Sequence, residues 1–393
     1  VYADFVEKLT VHYKEIKPME ETEYAVKPHD DKKYRYADLD DDKQRKGFER
    51  AYGFDIRTKA CDTARIVLPA ATLTNMAMVA NGRTFEHLLK RLYSSDVAEF
   101  HDIAKRLHAT LNRVIPKYVK RADPAGVPIW KEIDAALVRQ IRERMPVLWE
   151  PEVPEEEVSW ISVPSLVQDG VEPKWHLCAA ALFPFARCSY KKIIEALKGK
   201  NNAELIELMK LAVGGRQNRR DRSPRTFEHG YDVTVEAVGN FGIFRDLHRH
   251  RMMTLERQAL NPHLGFTVPD DIVAIGGKDT ALRIHADICV LYDDIERTLG
   301  THRAEYAALF GHHIRWMMGM NLREAQHLLE LRTVPQGHPD YRRVAQKIHK
   351  EILKRASWIG ETDLLKFVDH NNYQWSRADA EARQSRKIIE MGS

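Results

Sequence analysis

One nine-residue stretch occurs twice in this chain. Asn81-Gly82-Arg83-Thr84-Phe85-Glu86-His87-Leu88-Leu89 matches Asn321-Leu322-Arg323-Glu324-Ala325-Gln326-His327-Leu328-Leu329 at five of the nine positions. With one added residue the match continues from Ile103-Ala104-Lys105-Arg106-Leu107-His108 to Val344-Ala345-Gln346-Lys347-Ile348-His349. Polar positions agree as well as apolar ones, which two Leu-rich helices alike by chance would not show. The pattern points to a tandem duplication. The second copy reads as complete. The first lacks its front half, because nothing before Asn81 resembles Arg249-His250-Arg251.

The 393 residues suffice for two or three domains, and 44% apolar with 30% charged residues describes a soluble globular chain with a real core. The Pro- and Glu-rich run Glu150-Pro151-Glu152-Val153-Pro154-Glu155-Glu156-Glu157 is the best boundary. The expected layout is therefore 1–150 as a partial first domain, 151–360 as a complete second one, and 361–393 as a polar surface extension. Helices are expected over 73–121, 175–185, 190–211, 280–299, 303–332 and 341–356. Strands are expected over 158–167 and 231–238, the latter alternating apolar with polar residues. No run of about 18 apolar residues predicts a membrane span. The opening residues carry no signal-peptide pattern, and beginning with Val they read as a fragment or a processed product. Cys61, Cys178, Cys188 and Cys289 form no CxxC pair and read as reduced thiols of a cytoplasmic protein.

Chemistry concentrates in Arg245-Asp246-Leu247-His248-Arg249-His250-Arg251, where five of seven residues are Arg or His. Such a knot repels itself unless an anion sits in it. On a helix starting after Gly239-Asn240, Arg245 and Arg249 share a face, and Thr254 adds a hydroxyl. The bland alternative is an exposed Arg-rich helix paired with Asp246, Glu236 and Glu256. Metal binding by His248 and His250 lacks an adjacent carboxylate or Cys cluster. Downstream, Asn321 and Arg332 are eleven residues apart, close to three helical turns and about 16 Å. Arg323 and His327 occupy a neighbouring face, so an elongated ligand along this helix meets several polar groups. Glu228 in Phe227-Glu228-His229 is placed to hold an Arg or orient a ligand. The stretch from Arg216 to Arg225, five Arg in ten residues, reads as a solvated basic loop. Phosphate or nucleic-acid contact is its alternative, although no interleaved aromatics support strand stacking. Neither a GxGxxG nor a GxxxxGK[ST] loop is present, nor a GxSxG elbow.

These segments resemble the flavin-dependent thymidylate synthase family. Its RHRxxS motif stands here as Arg249-His250-Arg251-Met252-Met253-Thr254, its Glu-His before a strand as Glu228-His229, and its NxR…LR pattern as Asn321, Arg323 and Leu331-Arg332. His338 matches a His after a short turn. The resemblance covers residues 155–355 well, and 60–110 as a half copy. It implies an α+β fold, an antiparallel sheet flanked by long helices, in two tandem copies of which the first is incomplete. It also implies reductive methylation of dUMP to dTMP, with methylenetetrahydrofolate as carbon donor, FAD as cofactor and NADPH as reductant. It assigns Arg249, His250, Arg251, Glu228, Asn321, Arg323, His327 and His338 to the flavin. The nucleotide falls to Asp246, Arg249, Arg332 and Arg65, with Arg332 polarising the uracil ring. The need is for fixed positive charge around a ring that becomes anionic.

Several positions depart from the pattern. Ala259 and Asn261 replace a Ser and an Arg that grip the nucleotide phosphate, and Arg257 replaces a Glu. The family's Ala-Arg pair is Ala304-Glu305 in the second copy but Ala64-Arg65 in the first, sixteen residues before each Asn. The first copy in turn has Leu92 where the ring-polarising Arg belongs. Each copy thus keeps what the other has lost. The expected assembly is a homodimer forming a pseudo-tetramer, with Arg65 lending charge to a site built around Arg332. The alternatives are a diverged paralogue that binds flavin or nucleotide, or serves as a scaffold, without methylating, and more remotely a nucleic-acid-binding protein. Neither a membrane nor a metal is an expected partner.

Overall fold

The computed structural model describes residues 1–27, 30, 32–122, 124–126, 139–140, 143–144, 156–160, 173–213, 215–221, 223–229, 231–373, 375 and 382. Most of the expected boundary at 150–157 and most of the strand expected over 158–167 lie outside these residues.

A four-stranded antiparallel sheet organises the second half. Its strands are β1 (Val158–Trp160), β2 (Asp232–Asn240), β3 (Thr254–Arg257) and β4 (His313–Asn321), in the order β1-β2-β4-β3. β2 and β4 pair over their full length, from Asp232 opposite Asn321 to Asn240 opposite His313. β4 is central because both of its edges are bonded, and Ile314, Trp316, Met318 and Met320 on one face are buried. The fold is α+β, as the resemblance implies. Helices α5 (Pro173–Leu182), α6 (Tyr190–Leu197) and α7 (Asn202–Val213) contribute to the same core, as do α8 (Phe241–Leu247), α10 (Leu322–Arg332) and α11 (Pro339–Arg355).

The first half builds a second core. Helix α1 (Tyr2–Ile16) packs on α2 (Asp42–Ala64) through Phe5, Leu9, Tyr13, Phe48 and Ile56. Ile272 and Ala281 join it from the second half, Ala281 lying on α9 (Lys278–Leu299). Helices α3 (Gly82–Tyr93) and α4 (Ala98–Val114) enclose a small cluster around Leu89 and Ala104. The halves also meet along residues 66–71 and 306–311, where Ala70 N–H donates to Ala308 O (2.7 Å) and Phe310 N–H to Leu68 O (2.8 Å). None of the described helices is long and apolar enough to cross a membrane.

Several expectations are corrected. The helix expected over 303–332 is interrupted by β4. Methionines at 317, 318 and 320 occupy both faces of that strand and hide its period of two, and only sheet pairing reveals it. The helix expected over 73–121 starts at Gly82, where the Asn81 side chain accepts from Thr84 N–H (3.0 Å), and breaks before Ala98. The helix expected over 190–211 divides between α6 and α7. Part of the expected polar extension is core, since Leu364 and Leu365 are buried.

Candidate functional site

The cationic segment is helical only through Leu247 and is a turn from His248 onward. Asn240 caps α8 by accepting from Ile243 N–H (3.1 Å), and the helix ends at Leu247. Residues 248–253 then turn into β3. Arg245 and Arg249 therefore do not share the helix face expected of them. The turn buries His250, at 6% exposure, while Arg249 and Arg251 point outward. Arg249 keeps a loose ion pair with Asp246 at 3.6 Å.

Across from this turn runs α10. Asn321, the last residue of β4, caps it by accepting from Glu324 N–H (2.9 Å). The strand register thereby fixes where the helix begins. Glu324 Oε1 lies 2.9 Å from His250 Nδ1, and Arg332 Nε donates to His250 Nε2 at 2.9 Å. Arg332 also lies over the Tyr341 ring, 5.5 Å from its centroid. A guanidinium only donates, so Nε2 accepts and the ring proton sits on Nδ1, donated to Glu324. His327 stands beside His250 with ring centroids 5.2 Å apart. Partial desolvation holds the His327 imidazole below the usual histidine range, and His250, Arg332 and Arg219 push the same way.

At the other end of α10, Arg323 Nη1 donates to Glu228 Oε1 (2.7 Å), and its Nε donates to Ser223 O (3.3 Å). Desolvation would raise the Glu228 carboxyl. Arg225 and Arg323 outweigh it and hold the group below the ordinary carboxylate range. Arg323, Glu228, Asn321 and His327 line a cavity of about 520 Å³, together with Arg219, Arg220 and Met252. The basic stretch is solvated at Arg219 and Arg220 but not at Arg216. That guanidinium is 2% exposed, forks onto both Glu330 oxygens (2.9 and 2.5 Å), and donates to Leu364 O (2.8 Å). Sequence spacing gave no sign of this pair, since the partners are 114 residues apart.

Arg65 and His338 lie elsewhere, in a cavity of about 860 Å³ shared with Lys59, Asn240, His313, Asp340 and Arg343. Arg65 Nη2 is buried without a hydrogen-bond partner, and its guanidinium lies so near Gly242 that a Cβ there would come within 3.3 Å. His338 caps α11 by accepting from Asp340 N–H (3.2 Å). Glu305 occupies a third location. Its carboxylate accepts from Arg257 Nη2 (3.1 Å) and from Leu260 N–H (3.2 Å). No group of three or more metal-ligating side chains is found among the described residues.

One chain thus unites the RHR turn with the NxR…LR helix, through His250, Glu324 and Arg332. The family model for thymidylate synthase complementing protein matches residues 179–356, which include both. The chain is 30% identical over 343 residues to a UPF0159 protein of Chlamydia muridarum, covering 86% of this chain and 62% of that one. It is 30% identical over 353 residues to a UPF0159 protein of Thermoplasma acidophilum, covering 90% and 68%. The chain belongs to the thymidylate synthase complementing protein family, alongside these diverged UPF0159 relatives. It spans less than two thirds of the length of the chlamydial relatives. Among solved structures, it resembles the flavin-dependent thymidylate synthase ThyX of Helicobacter pylori complexed with FAD and dUMP. That match has 14% identity and a TM-score of 0.39, covering 55% of this chain and 98% of that one. It also resembles the UMP/dUMP methylase PolB of Streptomyces cacaoi, with 14% identity and a TM-score of 0.39, covering 55% and 95%.

Proposed function

We propose that this chain is an FAD-dependent thymidylate synthase that methylates dUMP to dTMP, with methylenetetrahydrofolate as carbon donor and NADPH as reductant. The observation that carries this reading is the hydrogen bond between Arg332 and His250. It joins two motifs 82 residues apart and aims a permanent charge from a partly buried position. In this reading Arg249 and Arg251 hold the flavin from the turn, and Asn321, Arg323 and His327 hold it from α10, while His250, its two ring nitrogens taken by Glu324 and Arg332, positions Arg332 instead. Glu228 keeps Arg323 in place. The donor set suits an anionic cofactor, because the side chains of Arg219, Arg220 and Arg251 have no ion-pair partner among the described residues. When bound, reduced FAD supplies the hydride.

Arg332 carries the electrostatic work. A uracil ring attacked or deprotonated in the reaction gains negative charge, and a fixed guanidinium stabilises that charge without reorganising. His250 orients the guanidinium, and Glu324 fixes the tautomer that lets it do so. Asp246 and Arg249 complete the nucleotide side. Arg65 is assigned to the phosphate of a site shared between two chains, which its unpartnered Nη2 supports.

A specific observation favours a second reading, a flavin or nucleotide binder that does not methylate dUMP. Glu305 places a carboxylate on the donors of Arg257 and Leu260, where an anionic ligand would otherwise be received. Titration with FAD, followed by quenching of flavin fluorescence, tests the common element. Saturable micromolar binding is expected, with turnover of dUMP then separating the two readings. No binding at high FAD would leave a scaffold role.

A further inference from the structure

The five arginines between Arg216 and Arg225 are not equivalent. Arg216 lies beneath the loop: its Nε donates to Asp221 O (2.6 Å) and its fork rests on Glu330 of α10. Arg225 is paired with Glu228 at 3.3 Å. Arg222 lies outside the described residues. Arg219 and Arg220 are exposed, have no ion-pair partner among the described residues, and line the cavity of about 520 Å³ together with Asn321 and Arg323.

The loop that carries these two is held in place by its own hydrogen bonds. The Asp221 carboxylate accepts from Gln217 N–H (2.7 Å), Asn218 N–H (3.0 Å) and Asn218 Nδ2 (2.8 Å). Arg220 N–H donates to Asn218 Oδ1 (2.9 Å). Ser223 Oγ is hydrogen-bonded to the Gln326 side chain, and Ser223 O accepts from Arg323 Nε (3.3 Å). The loop is thus fastened through Glu330, Gln326 and Arg323 to the helix that carries the other cavity residues.

This fastening leaves charge unbalanced at the rim. Asp221, the carboxylate nearest in sequence, is turned onto backbone amides, and the hydrogen bonds from Gln217 and Asn218 hold it below the ordinary carboxylate range. Glu330, Glu228 and Glu324 are taken by Arg216, Arg323 and His250. Two adjacent guanidinium groups remain, and like charges that close repel unless an anion lies between them. Desolvation holds the His327 imidazole below the usual histidine range, and the charge of Arg219 adds to it, so that charge is felt within the cavity.

We propose that Arg219 and Arg220 are a diphosphate grip at the rim of this cavity. Each guanidinium offers a planar fork to a phosphoryl group. Neighbouring residues stand about 3.8 Å apart along the backbone, so the two forks suit two linked phosphoryl groups better than one isolated charge. Little ordering is left for the loop to undergo when the anion arrives, because it is already fastened. On the reading of this cavity as a flavin site, the occupant is the diphosphate that joins the two halves of FAD, and the grip rests on that reading.

Calorimetric titration of the 393-residue chain with inorganic pyrophosphate, ADP, riboflavin and FAD tests the grip, beside the double substitution Arg219→Gln/Arg220→Gln. The unsubstituted chain is expected to bind pyrophosphate saturably, and FAD at least about tenfold more tightly than riboflavin. The double substitution is expected to weaken FAD and pyrophosphate about 10- to 100-fold and to leave riboflavin affinity and the thermal midpoint unchanged. Arg219→Lys/Arg220→Lys keeps the charge without the forks and is expected to recover only part of the loss. FAD affinity that survives the Gln pair overturns the proposal. An equal loss for FAD and riboflavin also overturns it, because the arginines then serve the flavin ring or the fold. An unsubstituted chain that fails to bind pyrophosphate overturns it too, since both guanidinium groups are then satisfied within the chain. Pyrophosphate and ADP bound by the chain and lost in the Gln pair, with no FAD binding at all, keep the grip and overturn the flavin reading instead.

Discussion

Arg332 donates through Nε to Nε2 of His250 at 2.9 Å, while the opposite ring nitrogen meets Glu324, also at 2.9 Å. Each group in this relay fixes the next: the carboxylate sets the tautomer, the tautomer accepts the guanidinium, and the guanidinium is thereby aimed. Lys keeps the charge at 332 but loses the planar fork. Arg332→Lys is expected to lower kcat for dUMP methylation at least about 100-fold, with FAD affinity nearly unchanged. Steady-state kinetics beside FAD titration checks this, and full turnover by the variant would remove Arg332 from the role.

The buried fork between Arg216 and Glu330 ties α10 to the segment after α11. Glu330→Ala strands an uncompensated guanidinium at 2% exposure. The expected loss is about 3–5 kcal/mol, measured by denaturant unfolding. Replacing both partners together with apolar residues of similar volume should recover most of that loss.

Glu305 competes with any anion for Arg257 and Leu260 N–H. Glu305→Gln keeps the shape and removes the charge. We expect dUMP affinity to rise about tenfold while deoxyuridine affinity stays level, read by calorimetry. An equal change for both ligands would mean that no phosphate approaches this position.

Arg65 has a buried, unpartnered Nη2 to offer. If it receives the phosphate in a shared site, Arg65→Ala weakens dUMP binding by about 1.5–3 kcal/mol, or roughly 10- to 150-fold. FAD binding should be untouched. Unchanged dUMP affinity would sink the shared-site idea.

Burial, reinforced by the neighbouring His370, pushes His349 down to about 4. The folded state therefore binds fewer protons than the unfolded chain between about pH 6.5 and 4. Stability is complete above 6.5 and falls as pH drops through that window, by about 2 kcal/mol at pH 5 from this residue alone. His349→Asn should flatten the pH dependence of the unfolding midpoint across this range.

The candidate site was legible where chemistry is written into short motifs. Arg249-His250-Arg251 and Asn321-Leu322-Arg323 with Arg332 could be read directly, because Arg and Asn at fixed spacing keep their meaning on any backbone. Glu228 was found through its His neighbour, but its partner, Arg323, was not. Arg216 was misread for a related reason. A basic run reads as solvated until something 114 residues away supplies the carboxylate. The relay through Glu324 gave no sequence signal, since Glu in the first turn of a helix is ordinary there.

By itself the sequence determined that a helix follows Asn81 and Asn321, the alternating strand β2, the family and the residue types available to hold an anion. These follow from local spacing, which the chain carries without reference to its fold. Only the tertiary structure decided that 313–321 is a central strand while its counterpart 72–80 is solvent-exposed, although both lead into an Asn-capped helix. Backbone N–H and C=O groups become a strand only when neighbours on both edges satisfy them, and neighbours are a property of the fold. The same reason ended the expected helix at Leu247, so that the RHR turn faces Arg249 and Arg251 outward and sets His250 against Arg332.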